Sequence, residues 1–90
     1  MKINSLIVDN IRGIEIFDNN GSTIDRYIVV FKLFGKDMWK MYSCLIMSSD
    51  PFHPQGVCQY SSCKTGKHLG KRIEFKNLPE DCKQAVINSL

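Results

Sequence analysis

Both histidines of the chain and two of its four cysteines fall in one stretch at equal intervals: His53, Cys58, Cys63 and His68, in the pattern H-x4-C-x4-C-x4-H. Two imidazoles and two thiolates make a complete tetrahedral set for Zn2+. A full four-ligand shell leaves no open coordination position, so the expected metal is one structural Zn2+ and not a catalytic one. Such an ion would order a polar stretch that has little apolar surface of its own, because metal-binding energy becomes folding energy. The four-residue gap between the cysteines is longer than a C-x2-C knuckle, so a second reading stays open. In it His53 is a loop residue between Phe52 and Pro54, His68 belongs to a basic segment, and the cysteines are plain thiols. A cysteine with a histidine beside it can also act as a nucleophile. No nucleophile motif, Gly-rich cradle or carboxylate pair accompanies these residues, and the chain is expected not to be an enzyme.

The second chemical feature is charge. Lys64, Lys67, Lys71, Arg72 and Lys76 lie within thirteen residues, with Glu74 the one acid among them. Such a patch suits phosphates or an acidic protein surface, and Tyr60 nearby could stack on a base. The competing reading is a solvated loop and a strand edge on which lysines discourage pairing. Thr65-Gly66-Lys67 does not make a phosphate-binding loop. Ser61 stands where the first glycine of Gly-x4-Gly-Lys-Ser/Thr belongs, and His68 stands where Ser or Thr should follow.

The chain that must position these groups has 90 residues, 43% hydrophobic and 23% charged, which suits a folded domain rather than a disordered one. A net charge of +3 excludes an acidic mimic of DNA and leaves a nucleic-acid partner open. The longest apolar run near the start is Leu6-Ile7-Val8, far short of the about 7–15 residues of a signal-peptide core. The expected location is the cytoplasm, with no membrane contact. Cysteines there are thiols or metal ligands, not disulfides.

The expected fold is α+β over a single domain, residues 1–90: a small antiparallel β-sheet, a meander of three to four strands, a long ordered loop and one C-terminal α-helix. Residues 1–47 read as sheet. Ile14 and Ile16 alternate with Arg12 and Glu15, Asn19-Asn20-Gly21-Ser22 signals a hairpin, and Tyr27, Val29, Phe31 and Leu33 share one strand face. Gly35-Lys36-Asp37 is a turn. Met38 to Met47 alternates poorly and is expected to be covered on both faces. Residues 2–8 add either a strand or a packed arm. Residues 48–70, rich in Ser, Pro and Gly, read as the long loop. Residues 71–90 close the fold with a short strand over Arg72-Ile73-Glu74-Phe75 and a helix. That helix is expected to be capped by Asn77, with Leu78, Cys82, Ala85, Val86 and Leu90 on its apolar stripe. Cys82 and Cys44 read as core residues.

Three segments carry a resemblance: Asp25-Arg26-Tyr27-Ile28-Val29-Val30-Phe31, Pro51-Phe52-His53-Pro54-Gln55-Gly56, and His68-Leu69-Gly70-Lys71-Arg72-Ile73 followed by Leu78-Pro79-Glu80-Asp81-Cys82. Together they resemble small bacteriophage and prophage proteins over most of the chain from about Ile11 onward. The resemblance assigns no catalytic or binding residue. What it implies is a kind of role, that of binding and redirecting a host protein or ribonucleoprotein in the bacterial cytoplasm, as an inhibitor of a host defence complex such as a CRISPR effector does. Contact is then expected through residues 48–72 and the basic flank. The alternatives are a nucleic-acid-binding regulator using residues 64–76 and, ranked last, a small cysteine-dependent enzyme.

Overall fold

The computed structural model describes residues 13–20 and 26–90. Five strands, β1 (Ile14–Asp18), β2 (Tyr27–Lys36), β3 (Tyr42–Met47), β4 (Cys58–Cys63) and β5 (Lys71–Ile73), form one antiparallel sheet in the order β4-β3-β2-β1-β5. One helix, α1 (Glu80–Asn88), follows, and single 3-10 turns occupy Lys67–Leu69 and Phe75–Asn77. The α+β class, the meander and the C-terminal helix are therefore as the sequence implies. The sheet has more strands than expected because β4 lies inside the segment read as a loop. Residues 2–8, Gly21 and Ser22 lie outside the described residues.

Alternation along the strands sends side chains to two faces, and each face has its own core. On one face Ile16, Tyr27, Val29, Phe31, Leu45 and Met47 pack against Phe75, Leu78, Cys82, Ala85 and Val86. Four of the five residues expected on the helical stripe are buried there; Leu90, beyond the last turn, is 49% exposed. The helix begins two residues later than an Asn77 cap implies. Phe75–Asn77 forms its own 3-10 turn and Pro79 occupies the cap position, with Glu80 and Asp81 in the first helical turn, where acids complement the helix dipole. Cys82 is fully buried, and its thiol donates to the Ser48 carbonyl at 3.4 Å, tying the helix to the end of β3.

The other face carries Phe17, Val30 and Cys44 with Leu69 buried against them. Because β4 and β5 are the two opposite edges of the sheet, the chain joining them must cross a face. Residues 64–70 do so as a strap: Leu69 anchors it in the apolar centre, and Thr65 donates a hydrogen bond to Glu15 of β1 at 2.7 Å. β3 is thus covered on both sides, with Cys44, Leu45 and Met47 all fully buried, which explains its poor alternation.

β2 departs from the expected pattern at its far end. Its pairing with β3 jumps from Phe31↔Ser43 to Lys36↔Tyr42, so residues 32–35 face no partner on β3. This irregularity takes Leu33 off the apolar stripe that Tyr27, Val29 and Phe31 obey and leaves it 42% exposed.

Candidate functional site: an apolar hairpin tip

The hairpin joining β2 to β3 ends in a cluster of large exposed side chains. Leu33, Phe34, Met38 and Trp39 are 42%, 56%, 86% and 73% exposed. The turn is locked by Asp37. Its Oδ1 accepts the amides of Trp39 and Met41 at 2.8 and 3.0 Å, its own amide donates to the Met41 carbonyl at 2.8 Å, and its carbonyl accepts from Lys40. Lys40 sits at φ 60, the left-handed conformation that closes the turn. Phe34 leans on Phe31 with ring centroids 5.6 Å apart, which ties the tip to the core. Lys32 and Lys36 lie over the Tyr42 ring at 5.8 and 5.3 Å. With Lys40 they give the hairpin three cations. Its one acid, Asp37, is turned inward on the backbone.

An apolar cluster of this kind, rigid and rimmed by charge, has the composition of a binding surface, in which Trp and other aromatics act as anchors. The sequence signal was present but concealed. Met38 and Trp39 follow a recognisable turn and read as the start of a strand. The cue was the Asp at the turn, whose carboxylate can satisfy two following amides.

The four candidate metal ligands are distributed differently. His53 is exposed in the β3–β4 loop, and its Nδ1 accepts the Gln55 amide at 3.1 Å. Cys58 and Cys63 stand at opposite ends of β4, roughly 16 Å apart at ~3.3 Å per residue. They also point to opposite faces: Cys58 pairs with Met47 of the helix-side core, and Cys63 pairs with Tyr42 of the strap-side core. His68 is exposed on the strap. A tetrahedral zinc site needs its sulfurs ~2.3 Å from one ion, so these four residues do not form one coordination sphere in this fold. Among the described residues no group of three or more His, Cys, Asp or Glu is gathered in a way that could hold a metal.

The thiols differ sharply in setting. Burial pushes the Cys44 thiol up to about 12, helped by a hydrogen bond with Cys63, its diagonal neighbour across β3 and β4. Burial, with Asp81 and Asp50 adding, likewise pushes Cys82 up to about 12. Neither is a ready nucleophile. Cys58 is exposed and Cys63 half-buried. Among the described residues neither histidine hydrogen-bonds a cysteine.

The basic segment is partly consumed within the fold. Arg72 pairs with Glu15 at 2.8 Å and Lys76 with Glu74 at 3.2 Å, while Lys71 lies close enough to Asp18 to lower its pKa. Lys64 and Lys67, on the strap, are exposed and make no ion pair among the described residues. Glu15 gathers Thr65, Arg72 and Lys32, the last at 3.7 Å. Its carboxyl is held below the ordinary value by the Thr65 hydrogen bond first, then by the two cations.

No family model, curated protein or solved structure matches the chain. Among the described residues no helix is long and apolar enough to cross a membrane.

Proposed function

We propose that the chain is a non-enzymatic binding protein of the phage accessory kind, which seats the Phe34–Met38–Trp39 tip in an apolar pocket of a host macromolecule while Lys36 and Lys40 meet an acidic rim. The observation that carries this reading is the exposure of Met38 and Trp39 on a turn that Asp37 holds rigid. A preorganised tip loses little entropy on binding, and a Trp buried at the centre of an interface is a common hot spot. The resemblance to phage proteins supports a host protein or ribonucleoprotein as the occupant, with a defence complex such as a CRISPR effector the concrete case.

The test compares retention of host macromolecules by the wild type, by Trp39→Ala with Met38→Ser, and by Lys64→Glu with Lys67→Glu, with retained species identified by cross-linking. Loss of at least tenfold in the tip variant, about 1.4 kcal/mol, with little change in the strap variant is the expected result. The reverse pattern would favour a nucleic-acid regulator, since Lys67 is exposed between the Thr65 and Leu69 anchors of the strap and Lys64 is exposed just before the first of them. That alternative also requires a steep salt dependence.

A further inference from the structure

The two edges of the sheet are protected unequally. β5 is three residues long and carries Lys71 and Arg72, two cations that deter strand pairing. β4 is six residues long, Cys58-Gln59-Tyr60-Ser61-Ser62-Cys63, with no charge, no proline and an unbroken register against β3. Among the described residues nothing pairs with its outer edge, and its first five side chains are exposed. Backbone donors and acceptors on such an edge form a template for another strand. Beside it, on the helix side, lie two of the exposed apolar groups: Tyr60, 67% exposed with its hydroxyl 2.7 Å from Ser89, and Leu90, 49% exposed.

We propose that β4 pairs antiparallel with β4 of a second copy of this chain, about a two-fold axis through Tyr60, to make a continuous ten-stranded sheet. A two-fold axis perpendicular to a sheet places residues of like face opposite each other, so it must pass through a residue and not between two. With Tyr60 on the axis, Gln59 faces Ser61 of the other copy and Cys58 faces Ser62. Lys64 then falls opposite Gly56, so no like charges meet although each chain carries +3. Gln and Ser can hydrogen-bond across such a pair, and Tyr60 meets its counterpart with Leu90 beside it. The chain's own β4 is thus complementary to itself in register, with no charge at any of its six positions. One strand pair is a small interface, so the dimer is reversible and its population depends on concentration.

The experiment is sedimentation equilibrium over a concentration series reaching about 100 µM, high enough to populate a weak dimer. The wild type is expected to approach twice its 10.3 kDa mass at the upper end. Gln59→Lys with Ser61→Lys places two facing lysine pairs across the axis and is expected to weaken association at least tenfold. Gln59→Lys with Ser61→Glu restores it, because opposite charges then face each other. Both positions are exposed, and circular dichroism of each variant checks that the fold is kept. A wild type that stays monomeric throughout, a double-lysine variant that dimerises as well as the wild type, or a failed charge rescue each overturns the proposal.

Discussion

Thr65 and Glu15, fifty residues apart, meet through a 2.7 Å hydrogen bond that fastens the strap to β1. Arg72 reaches the other oxygen of the same carboxylate at 2.8 Å. One side chain of the first described strand thus holds both the crossing segment and the last strand. Thr65→Val removes one hydrogen bond of this latch and is expected to cost about 1 kcal/mol. Glu15→Ala leaves Thr65, Arg72 and Lys32 without their acceptor and is expected to cost about 2 kcal/mol. Urea unfolding measures both; equal costs would mean that the carboxylate contributes only through Thr65.

The same latch sets an acid limit. The Thr65 hydrogen bond holds Glu15 below its ordinary 4.5, and the Arg26 pair at 3.0 Å holds Asp18 below 3.8. In acid the unfolded chain therefore binds more protons than the native state. The stabilisation is complete above about pH 5 and is lost as pH falls through the unfolded values toward the lower folded ones. The urea midpoint of the wild type is expected to fall from about pH 5 to about pH 3, and that of Glu15→Gln to fall less steeply. Parallel curves would remove Glu15 from the account.

Much of the fold was legible in these residues, and the failures have physical causes. The Tyr27–Val29–Phe31 stripe, the Cys82–Ala85–Val86 stripe and the buried state of Cys44 follow from periodicity alone. β4 was hidden because an edge strand with five of its six side chains exposed needs no apolar alternation; Gln59, Ser61 and Ser62 look like loop residues, and only pairing with β3 makes them a strand. That strand is what separates Cys58 from Cys63. The tip was hidden by the irregular pairing of residues 32–35, which local sequence does not announce.

The separation of the two cysteines predicts that the fold does not depend on zinc. Cys58 and Cys63 occupy opposite faces of β4, each beside a different core. Adding excess chelator to the purified protein is expected to leave its circular dichroism and melting temperature unchanged. Unfolding by chelator, reversed by stoichiometric Zn2+, would show that the β3–β4 pairing rearranges to gather the four ligands.

Thiol reactivity should follow burial. At pH 8 a thiol with pKa near 12 is ionised only to about one part in ten thousand, so Cys44 and Cys82 are nearly inert even before access is considered. Exposed Cys58 is expected to react first with iodoacetamide in the native state, Cys63 more slowly, and Cys44 and Cys82 only on unfolding. Peptide mass mapping over time reads the order. Native labelling of Cys82 as fast as Cys58 would mean that α1 opens from the sheet readily.

Asp37 decides whether the tip is a rigid knob or a loose loop. Its Oδ1 serves two amides of the turn at once. Asp37→Ala is expected to cost about 1 kcal/mol and to free the turn while the strands on either side keep their pairing. Trp39 is the one tryptophan of the chain, so its fluorescence anisotropy reports the tip directly. It should fall in Asp37→Ala and be largely kept in Asp37→Asn, which retains the Oδ1 acceptor without the charge. If Asp37→Asn behaves like the alanine variant, the charge and not the acceptor geometry holds the turn. If neither variant changes the anisotropy, the backbone hydrogen bonds of the turn and the packing of Phe34 on Phe31 hold the tip without the Asp37 side chain, and that carboxylate drops out of the account of the preorganised anchor.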